Sequence, residues 1–388
     1  MKILIGCSST IDVGSGILSY CKSLTVKYKE MGHTVSLVYS ESKDNSWIDK
    51  NNIDSYSVNP DGNSKSEADN LFEYVNSFQP DIIINNDNLY LQVIAPKIKV
   101  PFIFVLHLGA YSILALAKLN MDYVDKYIAT TSDMKFDLVS VGIKPQNITV
   151  VLNGLNNPLI TSLPNKLDEK LNIIFAGEPT RRKGVDKFIR LVKENRFENC
   201  IFHWTGGHSA MKFTNELNKK NDVRIYERLD KSDFYDLMNS CDIFLMPSRD
   251  EGLPIALLEA MGFGLLPIVS NARGGMKEVV LHGRTGFVCN IKDWTEETTI
   301  ILKDINIESI LNMKKEVLKY SNENNLTGKY AESLIDIASK NQFKKEYQDS
   351  IEYYKWHRPL SDNKGFIRRV INKFKVKFGI ITKSTSII

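Results

Sequence analysis

The chain repeats one local pattern twice: a short run of β-branched and aromatic residues, a turn, then a helical pattern of apolar residues. In the first series Lys2–Cys7 reads as a strand, Gly16–Met31 as a helix closed by a left-handed cap at Gly32, and Thr34–Tyr39 as a strand. A polar stretch at 41–65 is followed by a helix over Glu67–Phe78 and strands at 80–85, 101–106, 127–130 and 148–152. A linker containing Pro, Ser and Lys at 159–170 interrupts the pattern. It then restarts with strands at 171–175, 201–205, 223–225, 242–247, 265–269 and 286–289, with helices between most of them. Short apolar strands alternating with helical segments predict parallel sheets covered by helices on both faces. The expected fold class is therefore α/β, with two doubly wound Rossmann-like domains over 1–160 and 171–335 and a helical segment at 336–388.

Length agrees with two cores, since 388 residues exceed what one core comfortably holds. The opening Met1-Lys-Ile-Leu-Ile-Gly-Cys7 has too short an apolar run for a signal peptide, which needs about 7–15 residues. No stretch approaches the roughly 18 apolar residues of a membrane span. Cys7, Cys21, Cys200, Cys241 and Cys289 are scattered, odd in number and without Cys-x-x-Cys spacing, which points to reduced, buried thiols and neither a disulfide framework nor a zinc site. The net charge of +4 conceals an asymmetry: seven Lys/Arg and no acid lie from Lys364 onward, so the body carries a net −3. A body of that charge, without a basic stripe interleaved with aromatics, argues against nucleic-acid binding.

Five features fall at turns that follow strands, the edge at which open α/β sheets bind ligands. The first is the glycine loop Asp12-Val-Gly-Ser-Gly-Ile17, which departs from the dinucleotide fingerprint and reads equally as a turn. The second is His107, directly after the run 101–106. The third is Gly177-Glu-Pro-Thr-Arg-Arg-Lys-Gly184, whose Arg181, Arg182 and Lys183 precede a helix start and could neutralise a diphosphate. The fourth is the pair Glu251 and Glu259, one acid in a loop and the other inside the following helix. The bland alternative makes Glu251 a favourable residue at a helix N-terminus and Glu259 a solvated one. The fifth is the glycine turn Asn271-Ala-Arg-Gly-Gly-Met276.

These residues resemble the family-four retaining glycosyltransferases of the GT-B fold, over roughly 1–295. The segments Tyr127–Gly154 and Gly177–Val288 carry the likeness, most specifically Glu251–Gly262 followed by Gly274-Gly275, Glu278 and His282-Gly-Arg-Thr-Gly-Phe287. The resemblance implies two Rossmann-like domains facing each other across a cleft, and transfer of a sugar from a nucleotide donor. It also implies roles. Gly16 would bring its amide to the donor diphosphate or the acceptor, and His107 would lie at the cleft near the transferred sugar. Lys183 with Arg181 or Arg182 would hold the diphosphate. Glu251 would contact the donor sugar, Glu259 the ribose, and the amides of Ile255, Ala256 and Leu257 sugar or phosphate oxygens. Two departures stand out: Glu178 occupies a position where the family often has Arg, which moves the phosphate role to Arg181, and Pro254 replaces a glycine.

The chain has no Asp-x-Asp motif of the kind that holds a metal in transferases of another fold. Fixed cations and helix starts would offset the leaving diphosphate instead, so neither metal nor cofactor is expected. Retention by same-face attack follows from the resemblance, with UDP-sugars the preferred donors. Within 364–380, Ile367, Val370, Ile371, Phe374 and Phe378 recur at helical spacing among basic residues, a pattern that suits an anionic membrane surface. A peripheral cytoplasmic enzyme that extends a lipid-linked glycan in lipopolysaccharide or capsule synthesis is the resulting expectation. A nucleotide-sugar epimerase of the same fold, or a degenerate sugar-binding subunit, are the alternatives.

Overall fold

The computed structural model describes residues 1–339 except 12–15, 60–63, 155–159, 161, 164–168, 220, 228 and 325–326. The basic segment 364–380 therefore lies outside the described residues. Two compact units form. The first comprises Met1–Ile128 and Asp137–Thr149 with 335–339, and the second Ala129–Phe136 and Val150–Leu334. Residues 129–136, which the sequence pattern assigns to the N-terminal domain, thus pack with the second unit.

In chain order the first part runs β1 (Lys2–Thr10), α1 (Gly16–Glu30), β2 (Thr34–Ser40), α2 (Ser46–Asn51), β3 (Asp54–Val58), α3 (Ser64–Phe78) and β4 (Ile82–Asn85). It continues through α4 (Leu89–Ile94), β5 (Phe102–Leu106), α5 (Tyr111–Lys118), β6 (Lys126–Ala129), α6 (Ser132–Ser140) and β7 (Ile148–Val150). The sheet order is β3-β2-β1-β4-β5-β6-β7, with parallel ladders that include Ile3↔Ile82 and Ile3↔Val35. Every residue of β4 and β5 is buried, which is why these strands are continuously apolar and do not alternate. The edge strand β3, Asp-Ser-Tyr-Ser-Val, is the one strand missing from the sequence reading. Its polar, half-exposed residues give no apolar run to detect.

The second series is β8 (Leu171–Ala176), α7 (Val185–Glu194), β9 (Cys200–Thr205), α8 (Thr214–Leu217), β10 (Asp222–Tyr226), α9 (Lys231–Asn239) and β11 (Ile243–Met246). Then follow α10 (Ile255–Gly262), β12 (Leu266–Ser270), α11 (Met276–Val279), β13 (Phe287–Cys289), α12 (Trp294–Asp304), α13 (Ile307–Asn324) and α14 (Thr327–Ser339). Its sheet order, β10-β9-β8-β11-β12-β13, reverses direction between β8 and β11. The first sheet makes the same reversal between β1 and β4. Each is the topological switch point at which doubly wound folds open a crevice beyond the strands' carboxyl ends.

An aromatic cluster ties the second sheet to α7: Phe175 and Phe188 stack at 4.8 Å, and Trp204 lies 5.6 Å from Phe188. All three are at most 1% exposed. Truncating Phe188 to Ala would leave a cavity and cost about 3–5 kcal/mol. All five cysteines are free and buried. Among the described residues, no helix is long and apolar enough to cross a membrane.

Candidate functional site

The switch point of the second sheet is occupied by charge. The loop after β8 carries Arg182 and Lys183; the loop after β11 carries Glu251. Lys183 Nζ lies 2.8 Å from Glu251 Oε1 and Arg182 Nη1 3.1 Å from Oε2, so one carboxylate bridges two cations. Glu251 is 5% exposed, and an acid buried that far is tolerated only when its charge is matched and hydrogen-bonded.

Backbone packing holds the two loops together. Gly184 caps α7 in the left-handed conformation, with φ +72°, and a Cβ there would overlap the Pro247 carbonyl oxygen. Only glycine meets both demands, so the cationic loop seats directly on the end of β11. Arg249 completes the join. Its guanidinium donates to the Arg181 carbonyl at 2.7 Å and to both Asp186 oxygens at 2.6 Å, while its amide donates to the Arg182 carbonyl at 2.8 Å. Burial raises the Asp186 pKa, but the hydrogen bonds and charge of Arg249 outweigh it and hold the carboxyl below its ordinary value. The Gly177 carbonyl is fixed by the Trp204 indole N–H at 3.0 Å, and the Lys183 stem lies against Gly177.

A third loop buttresses Glu251 from the other side. Gly274, φ +117°, sits so close that a Cβ would overlap the Glu251 carbonyl oxygen, and the Gly275 amide donates to Gly252 O at 2.8 Å. The Gly274 amide in turn donates to Asp133 Oδ2 at 2.8 Å, and Lys277 adds an ion pair at 3.2 Å. Burial of Asp133 is again outweighed, here by Gly274 and the nearby Lys277 and Arg273 charges, and its pKa falls. Glu278 accepts from the Ser132 amide at 2.8 Å and its hydroxyl at 3.2 Å. Residues 129–136 are thereby stitched to the turn behind Glu251.

Helix α10 begins at Ile255 behind the cap residue Pro254. With no preceding turn, the Ile255 and Ala256 amides lack intrahelical acceptors. Leu257 departs from expectation: its amide donates to Pro254 O at 3.1 Å and its side chain is fully buried, so it is spent on the helix's own first turn. Further along, Glu259 Oε1 accepts from the Tyr235 hydroxyl of α9 at 2.8 Å. Burial pushes the Glu259 carboxyl up from its ordinary value, opposed by Tyr235 and the Lys231 charge.

In the first unit neutral hydrogen-bonding groups dominate the corresponding edge. Asn86 Nδ2 donates to Gly6 O at 3.0 Å, which turns its Oδ1 toward His107 Nε2, 2.9 Å away. The amide orientation assigned from these bonds puts the imidazole hydrogen on Nε2 and leaves Nδ1 as an acceptor. Burial pushes the His107 pKa down to about 3, so the ring is neutral at working pH, packed edge-on to Tyr20 at 4.5 Å. Asp87 accepts from both the amide and the hydroxyl of Ser8, each at 2.7 Å, and so fixes the start of the loop that leads to Gly16. Gly16 opens α1, and a Cβ there would meet no described atom.

The structure thus brings Lys183 and Glu251 together and adds Arg182, where sequence reasoning favours Arg181. The Arg181 side chain is exposed, and that residue contributes its carbonyl to Arg249. Arg249, Asp133 and Tyr235 are missed by motif reading. Each acts through a partner far away in sequence, so no local spacing marks it.

Comparison with known proteins places the two-unit fold in a known family. Residues 14–157 match the family described as Glycosyltransferase Family 4, and residues 162–322 match Glycosyl transferases group 1. An uncharacterised glycosyltransferase of Methanocaldococcus jannaschii is 28% identical over 224 residues, 55% of this chain and 61% of the relative. The N,N'-diacetylbacillosaminyl-diphospho-undecaprenol alpha-1,3-N-acetylgalactosaminyltransferase of Campylobacter jejuni is 24% identical over 255 residues, 61% of this chain and 67% of the relative. The match to the first of these relatives therefore spans about three fifths of its length. The crystal structure of Anabaena HepE in complex with UDP-glucose superposes with a TM-score of 0.72 at 15% identity, covering 88% of this chain and 100% of the other. With both Rossmann-like units matched in this way, the chain belongs to the family-four glycosyltransferases (glycosyl transferases group 1) of the GT-B fold.

Proposed function

We propose that the chain is a retaining, metal-independent glycosyltransferase that moves a hexose or N-acetylhexosamine from a nucleotide-diphosphate sugar, preferably a UDP-sugar, to a glycan acceptor. The observation that carries the reading is the buried Glu251 held between Lys183 and Arg182 at the switch point of the second sheet. In the absence of donor, the carboxylate neutralises two cations that would otherwise stand unmatched. A diphosphate offers them more charge than one carboxylate does. Its arrival draws Lys183 and Arg182 onto the phosphate oxygens and releases Glu251 to accept hydrogen bonds from donor-sugar hydroxyls. As the bond from the anomeric carbon to the β-phosphate oxygen breaks, the acceptor oxygen bonds that carbon from the same face and passes its proton to the leaving phosphate. The two cations and the free amides of Ile255 and Ala256 offset the charge of that phosphate. Glu259 accepts from the ribose. In the first unit, His107 offers Nδ1 as a neutral acceptor to a sugar hydroxyl, and the Gly16 amide approaches an anionic or hydroxylic ligand without a side chain in the way.

The C. jejuni relative is named for a diphospho-undecaprenol acceptor. The reading extends this to a lipid-linked glycan acceptor in bacterial cell-surface polysaccharide synthesis, such as lipopolysaccharide or capsule. Peripheral attachment of a cytoplasmic enzyme to an anionic membrane through 364–380 goes with it. Deleting 364–388 then abolishes co-sedimentation with anionic vesicles, and unchanged binding would reject the membrane arm.

The central experiment is a thermal-shift screen with UDP-, GDP- and ADP-sugars, repeated with Lys183→Ala and Glu259→Ala. The first substitution weakens every diphosphate ligand, and the second weakens nucleotides without affecting pyrophosphate. A stabilising nucleotide sugar indifferent to both changes would overturn the assignment.

A further inference from the structure

Among the described residues, the carboxylate of Glu259 has one hydrogen-bond partner, the hydroxyl of Tyr235. Tyr235 is itself held on two sides: its ring packs edge-on to Phe263 at 5.2 Å, and Lys231 Nζ stands 5.2 Å from its centroid. Burial and the neighbouring Glu259 push the tyrosine pKa far above its ordinary value, so the phenol keeps its proton and is always the donor. We propose that Tyr235 is a positioning residue for nucleotide recognition: its hydroxyl locks the Glu259 carboxylate through Oε1 and leaves Oε2 as the acceptor for a ribose hydroxyl. The inference rests on the assignment of Glu259 to the ribose and adds to it a residue from a different helix.

The lock also decides protonation. Glu259 sits where burial favours its neutral form, and a protonated carboxyl is a poorer acceptor for a hydroxyl than a carboxylate. Two groups, both on α9, oppose that tendency: the Tyr235 hydrogen bond and the Lys231 charge. The other elements packed on α10 do not. Lys314 of α13 and Asp242, just before β11, are paired with each other at 3.0 Å, and β12 (Leu-Pro-Ile-Val-Ser) carries no ionisable side chain. Without the phenol hydroxyl, Glu259 takes up its proton at higher pH, and affinity for ribose is lost sooner as pH falls.

The test is calorimetric titration of full-length protein with UDP, 2′-deoxy-UDP and 3′-deoxy-UDP, comparing wild type, Tyr235→Phe and Glu259→Gln. Thermal melts confirm that each variant is folded. Across a pH series, Tyr235→Phe should bind UDP within a few-fold of wild type at the alkaline end and about tenfold more weakly at the acid end, the scale of one charge-assisted hydrogen bond. At the lower pH its penalty for a missing ribose hydroxyl should shrink as well. Equal weakening at both ends of the series, or none, overturns the positioning role, because a packing defect does not titrate. If Glu259→Gln weakens UDP while Tyr235→Phe keeps the wild-type pH profile, the Tyr235 inference alone falls. If Glu259→Gln leaves UDP affinity and the deoxy penalties unchanged, the ribose assignment itself falls.

Discussion

The two sheets share a strand order and a switch point yet dress that edge in opposite ways. In the second unit it carries formal charges, with Lys183 and Arg182 closed on Glu251 and Arg249 closed on Asp186. In the first it is dominated by neutral hydrogen-bonding groups. Asn85, Asn86 and Asn88 are buried there with their amides committed to backbone and Gln92, and His107 carries no charge. Asp87 spends both oxygens on Ser8. Under the proposed function, the charged edge suits an anion and the neutral one suits hydroxyl groups. Charge is matched where a diphosphate would have to be gripped. Where a sugar would have to be oriented, neutral acceptors avoid the desolvation cost of a fixed ion.

The contrast can be broken most forcefully at Lys183. Lys183→Ala leaves Glu251 half matched and, under the proposed function, takes a cation from the transition state. Losing such a donor is worth about 3–4 kcal/mol, so kcat/KM should fall about 10²–10³-fold. Steady-state kinetics with the best donor checks this. Glu251→Gln separates binding from turnover: UDP should bind several-fold more tightly because its diphosphate no longer competes with a carboxylate, while transfer collapses. Weaker UDP binding in that variant would refute the exchange of carboxylate for phosphate. Arg249→Lys keeps the charge but loses the fork that spans Asp186 and the Arg181 carbonyl. A drop of about tenfold in kcat is expected with little change in unfolding temperature.

Two smaller effects concern titration. His107 is already neutral and ionises only near pH 3, so His107→Gln should leave the acid limb of the pH–rate profile in place while lowering its amplitude. If Glu259 holds the ribose as proposed, that limb should track Glu259, whose carboxyl pKa burial raises, so that nucleotide affinity declines as pH falls through it. The same shift costs stability near neutrality. The unfolded chain releases that proton at lower pH than the folded one, so the fold loses stability as pH rises through the unfolded value. Glu259→Gln should accordingly melt slightly higher at pH 7, and a lower melting temperature would count against the carboxylate as the strained group.

Much of the fold and part of the site are legible in the sequence. The apolar strands announce the sheets because burial on both faces demands continuous hydrophobic runs, and glycines and charges after those strands mark the ligand edge. The acid pair and Lys183 stand out because their spacing is local. The edge strand β3 left no such mark, being half exposed and rich in Ser and Asp. Arg182 could not be separated from Arg181 in sequence. Adjacent residues in a turn point in different directions, and it is Arg182 that reaches Glu251, at 3.1 Å. Arg249, Asp133 and Tyr235 act on partners 63, 141 and 24 positions away, respectively. Their importance comes from the tertiary fold, so no motif could announce it.

The path of the chain carries a practical corollary. Because 129–136 leaves the first unit to bond Gly274, Lys277 and Glu278, and 137–149 then returns, the halves are interleaved and not strung end to end. A C-terminal fragment cut at residue 160 would lack the peptide that braces the turn behind Glu251. Lobe exchange between relatives should therefore transplant that octapeptide together with the C-terminal half, and chimeras joined at a single seam should express but bind nucleotide poorly.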